Sequence, residues 1–325
     1  MGKVLVTGAS GQIGVHICSG LLDKGYQVIG IDDKVNKYNE AKPDYKFIQL
    51  RPTDKEKFSI IFKDNVIDAV VHAACVADND IGPIILDEQI NESHVWDTFL
   101  YKMANLVEVK QFVLISTTQV YKTPETREPV REDDELQPLT NYGKLKAAAE
   151  DALAFEFKKS KVTAVASARC AQFYTKDLYE NLNAKITDPK DNTSFMFRTG
   201  EYAYHFCNTY NLVDFIVCFI RNTEKIKPEE RPGHSGYYNV ADKGLISAND
   251  IVSFMREYHT LGLVLQRPDP IVKTNKLKFF LKKISDEQVT NYRYFDNSTA
   301  ISNHNYEVNK AARICPFRWN LHNTK

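Results

Sequence analysis

The sequence predicts an α/β fold, a doubly wound parallel sheet followed by a smaller, mixed domain. Three observations predict it. Through the first half of the chain, short apolar runs rich in β-branched residues alternate with longer segments of helical periodicity. A turn with three glycines joins the first apolar run to the first helical segment, and after Arg169 the alternation ends. Strands that are separated by helices pair in parallel, with helices covering both faces of the sheet.

Six apolar runs are the predicted strands of this sheet, at residues 4–7, 27–31, 46–50, 69–72, 112–116 and 163–168. The helical segments between them are residues 12–24, 54–63, 84–106 and 141–159. Beyond them, residues 174–201 have no clear period, residues 212–222 and 247–258 are helical, and residues 237–240 form a short strand. We therefore expect two domains, residues 1–172 and residues 173–325, with segments of the second returning to the first near residues 205–245.

Composition excludes several classes of protein. The 325 residues are 43% hydrophobic and carry 42 basic and 42 acidic side chains, so no net charge favours nucleic acid or an anionic membrane. We expect no signal peptide and no membrane span, because no apolar run approaches the ~18 residues that a span requires. The six cysteines show neither C-x-x-C nor zinc-site spacing, which indicates reduced thiols, no metal and a cytoplasmic location.

The glycine-rich turn reads TGASGQIG and lies between the first strand and the first helix. In this context glycines let the backbone approach a pyrophosphate, which the N–H groups of the helix N-terminus then bind. A tight turn without a ligand is the plainer alternative, since the spacing G-x-x-G-x-x-G differs from G-x-G-x-x-G. The predicted dinucleotide contacts here are Gly8, Ser10, Gly11, Gln12, Ile13 and Gly14.

Acidic residues follow the second and third predicted strands. Asp32 lies 18 residues after Gly14, where a carboxylate accepts the ribose hydroxyls of a dinucleotide and repels a 2′-phosphate. NAD is therefore favoured over NADP. Asp33 is a second candidate, although a solvated turn residue is the simpler interpretation. Asp54 is either an acceptor for the adenine amine or a helix N-cap, and both interpretations stay open.

The pair Tyr142 and Lys146 is the strongest sign of chemistry. Residues four apart lie on one helix face, and a nearby ammonium lowers the pKa of a phenol, so the two can handle a proton together. The same spacing occurs at Tyr38 and Lys42 and at Tyr306 and Lys310. Only Tyr142 follows a strand that ends in hydroxyl groups, among them Thr117, 25 residues earlier. We therefore predict a site of Tyr142, Lys146 and Thr117.

The carboxyl ends of the fourth and fifth predicted strands read HAAC and STTQVY. Small residues at the end of a parallel strand leave room for a ligand in the crevice of the sheet. The predicted cofactor contacts at these ends are His72, Ala73, Ala74 and Ser116.

These motifs resemble those of the extended short-chain dehydrogenases/reductases, in particular the NAD-dependent nucleotide-sugar epimerase/dehydratase family. The resemblance rests on TGASGQIG, HAAC, STTQVY, PLTNYGKLKAAAE and GYYNVAD, and covers residues 3 to about 258. It implies a Rossmann domain with bound NAD and a substrate domain. Tyr142 would exchange a proton with a sugar hydroxyl, Lys146 would bind the nicotinamide ribose, and Thr117 would orient the hydroxyl.

The resemblance also implies a nucleotide-sugar substrate and a homodimer formed by residues 91–106 and 141–159. The positions that would contact the substrate are Cys75, Thr118, Gln119, Gln172, Tyr174 and Asn211.

Three departures from the family pattern bear on the reaction and on the substrate. Dehydratases of the family carry an Asp-Glu pair after the catalytic threonine, where this chain has Thr118 and Gln119, so we argue against dehydration. Gln172 stands where the family motif R-x-x-N has asparagine, and Lys122 stands where glycine is usual. These two leave the substrate open.

Three functions are compatible with these residues. We expect an NAD-dependent nucleotide-sugar epimerase acting at C4 through a transient keto intermediate. The alternative is an oxidoreductase, a nucleotide-sugar 4-ketoreductase with net hydride transfer. A dinucleotide-binding regulator without turnover is a remote third, because such proteins characteristically lack the Tyr/Lys pair.

Overall fold

The computed structural model describes residues 2–51, 54–75, 86–122, 124, 128–138, 140–160, 163–188, 191–222, 235–268 and 304–325. Their strands are β1 (Lys3–Thr7), β2 (Gln27–Asp32), β3 (Tyr45–Gln49), β4 (Ala69–His72), β5 (Gln111–Thr117), β6 (Ala164–Cys170), β7 (Gln172–Tyr174), β8 (Phe195–Phe197), β9 (Ala203–Tyr204), β10 (Phe206–Asn208), β11 (Ser235–Val240), β12 (Ile246–Ser247) and β13 (Leu265–Arg267). Their α-helices are α1 (Gln12–Asp23), α2 (Lys55–Asp64), α3 (Leu86–Leu106), α4 (Asn141–Phe157), α5 (Glu180–Asn183), α6 (Thr209–Arg221), α7 (Ala248–Tyr258) and α8 (Asn309–Ile314), and a 3₁₀ turn spans Thr118–Val120.

Seven of these strands form the central sheet, in the order β11-β6-β5-β4-β1-β2-β3, and every pair is parallel. The predicted fold class is confirmed, and each of the six predicted strands ends within two residues of its predicted limits. The strand order reverses between β1 and β4, and ligands bind in the crevice at such a reversal.

Both faces of the sheet are covered, as the continuous apolar runs predicted. Val4 and Val6 belong to a core with α1, α6 and α8, whereas Leu5 between them belongs to a core with α2, α3 and α4. Neighbouring residues of a strand point to opposite faces, so a strand with two cores has no polar face.

The chain leaves the sheet after β6 and returns to it. Helix α6 packs against α1, where a methyl of Val213 lies over Gly20, and β11 then pairs with β6 from Ser235 to Val240. The segments expected to return near residues 205–245 thus include the seventh strand of the sheet. The boundary near residue 172 stays a prediction.

A third core lies in the part of the chain with little regular structure. Three two-stranded sheets, β7–β10, β9–β12 and β8–β13, surround it together with α5 and α7. Strands of two or three residues are too short to show an alternating pattern, which is why residues 174–201 show no period.

The C-terminal segment, residues 304–325, contacts both the central sheet with its helices and the third core. Helix α8 packs against β11 and α6, and Leu321 enters the third core. Where α8 ends, Sγ of Cys315 lies 2.8 Å from Sγ of Cys218 on α6. In the part of the chain described here, no helix is both long and apolar enough to cross a bilayer.

Candidate active site at the carboxyl edge of the sheet

Three of the predicted site residues, together with Thr7, lie at the ends of strands on one edge of the sheet. Thr7, Asp32, His72 and Thr117 end β1, β2, β4 and β5. Because the strands are parallel, all four face the same crevice edge, on either side of the point where the strand order reverses.

The glycines of the turn allow three backbone segments to meet. A Cβ on Gly14 would lie 1.9 Å from the carbonyl oxygen of Gly8, and a Cβ on Gly8 would lie 2.6 Å from the backbone nitrogen of Ala74. Gly8 also has a φ of 71°, which favours glycine. The turn between β1 and α1 is therefore packed directly against the segment after β4.

The N-terminus of α1 is built for an anion. Its N-cap is Gly11, which has no side chain to cap the first N–H groups, and its first turn holds no acid. Gln12 is exposed and Ile13 is partly buried at this end of the helix. Exposed N–H groups at a helix N-terminus bind phosphate without further charged residues.

Asp32 connects the turn to β2. Its Oδ2 accepts a hydrogen bond from the backbone N–H of Ser10 at 3.0 Å, and its Oδ1 accepts one from Lys34 at the same distance. Burial raises the pKa of Asp32. Each carboxylate oxygen accepts two hydrogen bonds, so both keep room for a ribose hydroxyl. Ser10 is held a second time, since its Oγ donates to the carbonyl of Lys34.

The two other acids differ in their surroundings. The Asp33 side chain is exposed. Asp54 occupies the N-cap position of α2, but its side chain makes no capping hydrogen bond and lies 3.9 Å from Nζ of Lys57. The interpretation of Asp54 as a helix cap thus lacks the hydrogen bond that a cap would make. The contact with adenine stays a prediction.

Both ring nitrogens of His72 make contacts within the protein. Its Nδ1 lies 2.6 Å from Oγ1 of Thr7 and its Nε2 lies 2.9 Å from Oδ1 of Asp97, and the ring is buried. This chain of contacts ties β1 and β4 to α3. The side chain has no free nitrogen, so only the backbone of His72 is available to a ligand.

Lys146 joins α4 to the crevice. It is buried on α4, and its Nζ donates to the carbonyl of Ala74 at 3.4 Å, beside Gly8. The same Nζ lies 5.8 Å from the centre of the Tyr142 ring. One ammonium therefore contacts both the segment that packs on the glycine turn and the predicted proton-handling phenol.

A short relay of hydrogen bonds sets the start of α4 against the end of β5. Oγ1 of Thr117 accepts from the backbone N–H of Gln119, and the Gln119 side-chain oxygen accepts from Oγ1 of Thr140 at 2.7 Å. Thr140 in turn caps α4 by accepting from the N–H of Gly143. A Cβ on Gly143 would lie 2.5 Å from the carbonyl of Gln119, so only glycine permits this approach beside Tyr142.

The sequence pattern gave Tyr306 no part in the site, because no strand ending in hydroxyl groups precedes it. In the structure the Tyr306 side chain lies close to that of Thr118, directly after Thr117. Thr118 is buried, and so is Ser116, whose Oγ has no partner within the described residues. The C-terminal segment thus forms part of the wall near the predicted triad.

The two other tyrosine–lysine pairs do not share a site. Tyr38 is 64% exposed, and Nζ of Lys42 contacts Asp23 and Ser19. Lys310 is four residues from Tyr306 in sequence, but its Nζ lies over the ring of a different residue, Tyr238, 4.7 Å from the ring centre.

Sequence reasoning missed the ion pair that holds α4. Arg169 and Glu150 are both buried, and the guanidinium donates to both carboxylate oxygens at 2.7 to 3.2 Å. The rings of Tyr121 and Tyr237 lie 4.9 and 4.3 Å from the guanidinium carbon. Glu150 is four residues beyond Lys146, and this helical spacing was the available signal.

Two predicted substrate contacts are buried side chains of a second network. The hydroxyl of Tyr174 donates to Asp242, and the amide of Asn211 donates to Asp242 and to the carbonyl of Trp319. The Asn211 oxygen accepts from two backbone N–H groups, of Arg318 and of Trp319. These side chains hold the C-terminal segment, and their polar atoms are occupied by protein groups. By contrast, two further predicted substrate contacts, Gln172 and Cys75, are exposed.

A family model described as the NAD dependent epimerase/dehydratase family matches residues 4–241. A UDP-glucose 4-epimerase of Bacillus subtilis is 32% identical over 160 residues, which are 46% of this chain and 46% of that protein. The chain thus matches about half the length of such curated relatives.

Solved structures resemble the whole chain. One is a UDP-glucose-4-epimerase of Stenotrophomonas maltophila with bound NAD and formylated UDP-arabinopyranose. Its TM-score is 0.72 at 17% sequence identity, and the alignment covers 100% of this chain and 96% of the epimerase chain. A UDP-glucuronic acid 4-epimerase of Bacillus cereus, in complex with UDP-glucuronic acid and NAD, has a TM-score of 0.68 at 20% identity, covering 99% and 96%. At this identity the likeness concerns the fold.

The packing of the glycine turn predicts the effect of a single methyl group. Gly14→Ala should lower the free energy of unfolding by roughly 1–3 kcal/mol, because the added Cβ collides with the Gly8 carbonyl. Urea denaturation measures the change, and Gly244→Ala is the control, since nothing lies within 4 Å of its added Cβ. Equal stability of the two variants would contradict the packing described, all the more since alanine in a helix is otherwise favoured over glycine by about 1 kcal/mol.

Proposed function

Because the chain belongs to the NAD-dependent epimerase/dehydratase family, we propose that it is a nucleotide-sugar epimerase that acts at C4 with bound NAD. One observation carries the proposal. Lys146 contacts Ala74 beside the glycine turn and lies beside the ring of Tyr142, so the proton-handling group and the cofactor crevice share one cation. The reaction at C4 is supported by relatives that are named 4-epimerases.

The residues of the crevice fit NAD. The uncapped N-terminus of α1 would bind the pyrophosphate, and Asp32 would accept the ribose hydroxyls. The Asp32 carboxylate would repel a 2′-phosphate, which favours NAD over NADP. When bound, the nicotinamide would supply reversible oxidation of the sugar carbon.

Tyr142 and Thr117 would control the proton of the reacting hydroxyl. Tyr142 would take that proton as the sugar carbon is oxidised to a ketone, and return it when the carbon is reduced on its other face. The Lys146 ammonium would stabilise the phenolate in between. The Thr117 hydroxyl accepts from Gln119, and no described residue accepts its hydrogen, which leaves it to donate to the sugar oxygen.

The surroundings of Thr117 argue against elimination of water. Thr118 and Gln119 carry no ionisable group, and the Gln119 side chain accepts a hydrogen bond from Thr140. A dehydratase needs an acid and a base beside the reacting carbon. Gln172 is exposed at the start of β7, so a substrate contact by its amide remains part of the proposal.

The acid/base assignment predicts the behaviour of one variant. Tyr142→Phe should lower kcat by at least 10³-fold, because the ring keeps its packing and loses its proton, while NAD affinity changes little. Steady-state kinetics with UDP-glucose and NAD titration measure the two effects. Tyr38→Phe, from the exposed pair with the same spacing, is the control and should keep full activity. Turnover retained by Tyr142→Phe would refute the assignment.

Bound NAD separates the epimerase from the ketoreductase. An epimerase regenerates its cofactor in every cycle, so denatured, purified protein should release NAD in near-stoichiometric amount. The measurement is chromatography of the supernatant after precipitation of the protein. Protein that contains no NAD and consumes NADH with a 4-keto sugar nucleotide would establish the alternative instead.

We also propose a homodimer formed by α3 and α4. The two helices pack against each other, and apolar side chains remain on their outer surfaces: Val95 is 52% exposed and Phe155 is 82% exposed. Exposed large apolar residues on two neighbouring helices support an interaction surface there.

A charge on this surface should break the dimer. Phe155→Glu is expected to raise the dimer dissociation constant at least tenfold, since a carboxylate would be buried in the interface. Sedimentation velocity measures the association. Val66→Glu is the matched control, because Val66 is 84% exposed outside α3 and α4. A monomeric wild-type protein, or an equal effect of both variants, would contradict the proposal.

A cytoplasmic location is the remaining part of the proposal. Its support is that all six cysteines are free thiols, although Cys218 and Cys315 are adjacent. Reduced thiols are typical of that compartment.

A further inference from the structure

Lys185 is a cation for which no described residue supplies a matching anion. It follows α5, and its Nζ lies 5.3 Å from the centre of the Tyr204 ring, which is itself buried. The Lys185 side chain is largely enclosed by protein but keeps part of its surface accessible to solvent, so a ligand can reach it. Among the described residues, no carboxylate forms a salt bridge with it.

Lys185 belongs to a group of side chains that reaches the predicted triad. Lys185 lies close enough to His304 to lower the pKa of that ring, the centre of the His304 ring lies 6.3 Å from that of Tyr306, and the Tyr306 side chain lies close to Thr118. The ring of His205 lies 5.7 Å from Tyr306 on the same wall. We call this group, Lys185, Tyr204, His205, His304 and Tyr306, the Lys185 cluster.

Lys185 is the cationic member of this cluster. Burial lowers the pKa of Lys185 to about 8, so the amine is still mostly protonated at pH 7. Burial, with Lys185 nearby, lowers the pKa of His304 to about 4, so this ring is neutral. His205 is neutral too, since its Nδ1 accepts from the backbone of Tyr306 and its Nε2 donates to the carbonyl of Asp242.

An enclosed ammonium without a counter-charge is costly, because burial removes water that would otherwise solvate it. An anionic ligand at the accessible part of the Lys185 side chain would compensate for the lost solvation. The neutral ring of His304 could then add a hydrogen bond, since a neutral imidazole keeps one N–H donor.

We propose that Lys185 binds an anionic oxygen group of the nucleotide-sugar substrate, with His304 beside it. The inference rests on the proposed function, since it deepens the substrate class of the same site. The shared chemistry is that of carboxylate or phosphate oxygens: a uronic acid at the sugar or the diphosphate that carries it. The link through Tyr306 to Thr118 places the cluster near the reacting hydroxyl.

Three ligands distinguish the two sources of the anion. UDP carries the diphosphate alone, UDP-glucose adds a neutral sugar, and UDP-glucuronic acid adds a sugar carboxylate. Their dissociation constants are measured by calorimetry on the protein saturated with NAD, for the wild type and for Lys185→Met. If Lys185 binds the sugar carboxylate, the variant should lose at least tenfold in affinity for UDP-glucuronic acid and little for the others. If Lys185 binds the diphosphate, all three affinities should fall together.

Matched variants isolate the charge at this position. Lys176→Met removes another lysine that lies over a tyrosine ring, 4.2 Å from the centre of Tyr258, and should leave all three affinities unchanged. Lys185→Arg keeps the charge and should retain binding. If Lys185→Met does not fold, Lys185→Gln removes the charge with a polar side chain instead.

The outcomes separate this inference from the proposed function. Wild-type protein that binds the ligands while the Lys185 variants bind them equally well would overturn the inference alone. Wild-type protein that binds none of the three ligands would overturn both.

Discussion

The buried ion pair of Arg169 and Glu150 is the interaction on which the rest of the site depends. Arg169 is on β6 and Glu150 is on α4, so the pair fixes α4, which carries Tyr142 and Lys146, on the sheet. The remaining donors of Arg169 reach the hydroxyl of Tyr121 and the carbonyl of Glu132, which adds the segment after β5. Because Glu150 lies one helical turn beyond Lys146, the pair also fixes which face of α4 meets the crevice. Removing one partner of such a pair leaves a buried charge, at a cost of about 3–5 kcal/mol.

A single buried carboxylate organises the other half of the chain. Asp242 accepts from Tyr174, from Asn211 and from the backbone of Asn208, and burial raises its pKa to about 6. Its backbone carbonyl accepts from His205, which also binds the C-terminal segment at Tyr306. The network therefore positions the wall that carries the Lys185 cluster. The two halves of the molecule use different solutions, a charged pair on the sheet and a hydrogen-bonded carboxylate beside it.

The sequence predicted features whose residues are close together along the chain and missed contacts between residues that are far apart along it. The six strands and the glycine turn follow from short patterns, since each depends on residues within about 20 positions of one another. The contact of Tyr306 with Thr118 joins residues far apart in sequence, and no periodicity encodes it. Tyr174 and Asn211 were expected at a substrate because of where they fall in the family pattern. Their burial around Asp242 depends on three-dimensional packing that a single sequence does not show.

The return of the chain to the central sheet has a consequence for how the protein is made. Val165 on β6 pairs with Ser235 on β11, so the sheet is complete only after about 70 further residues have been added. During synthesis β6 must wait as an unpaired edge, the kind of edge that invites pairing between chains. Contacts of such sequence separation also form slowly. The nascent protein is therefore most exposed to aggregation while the residues between β6 and β11 leave the ribosome.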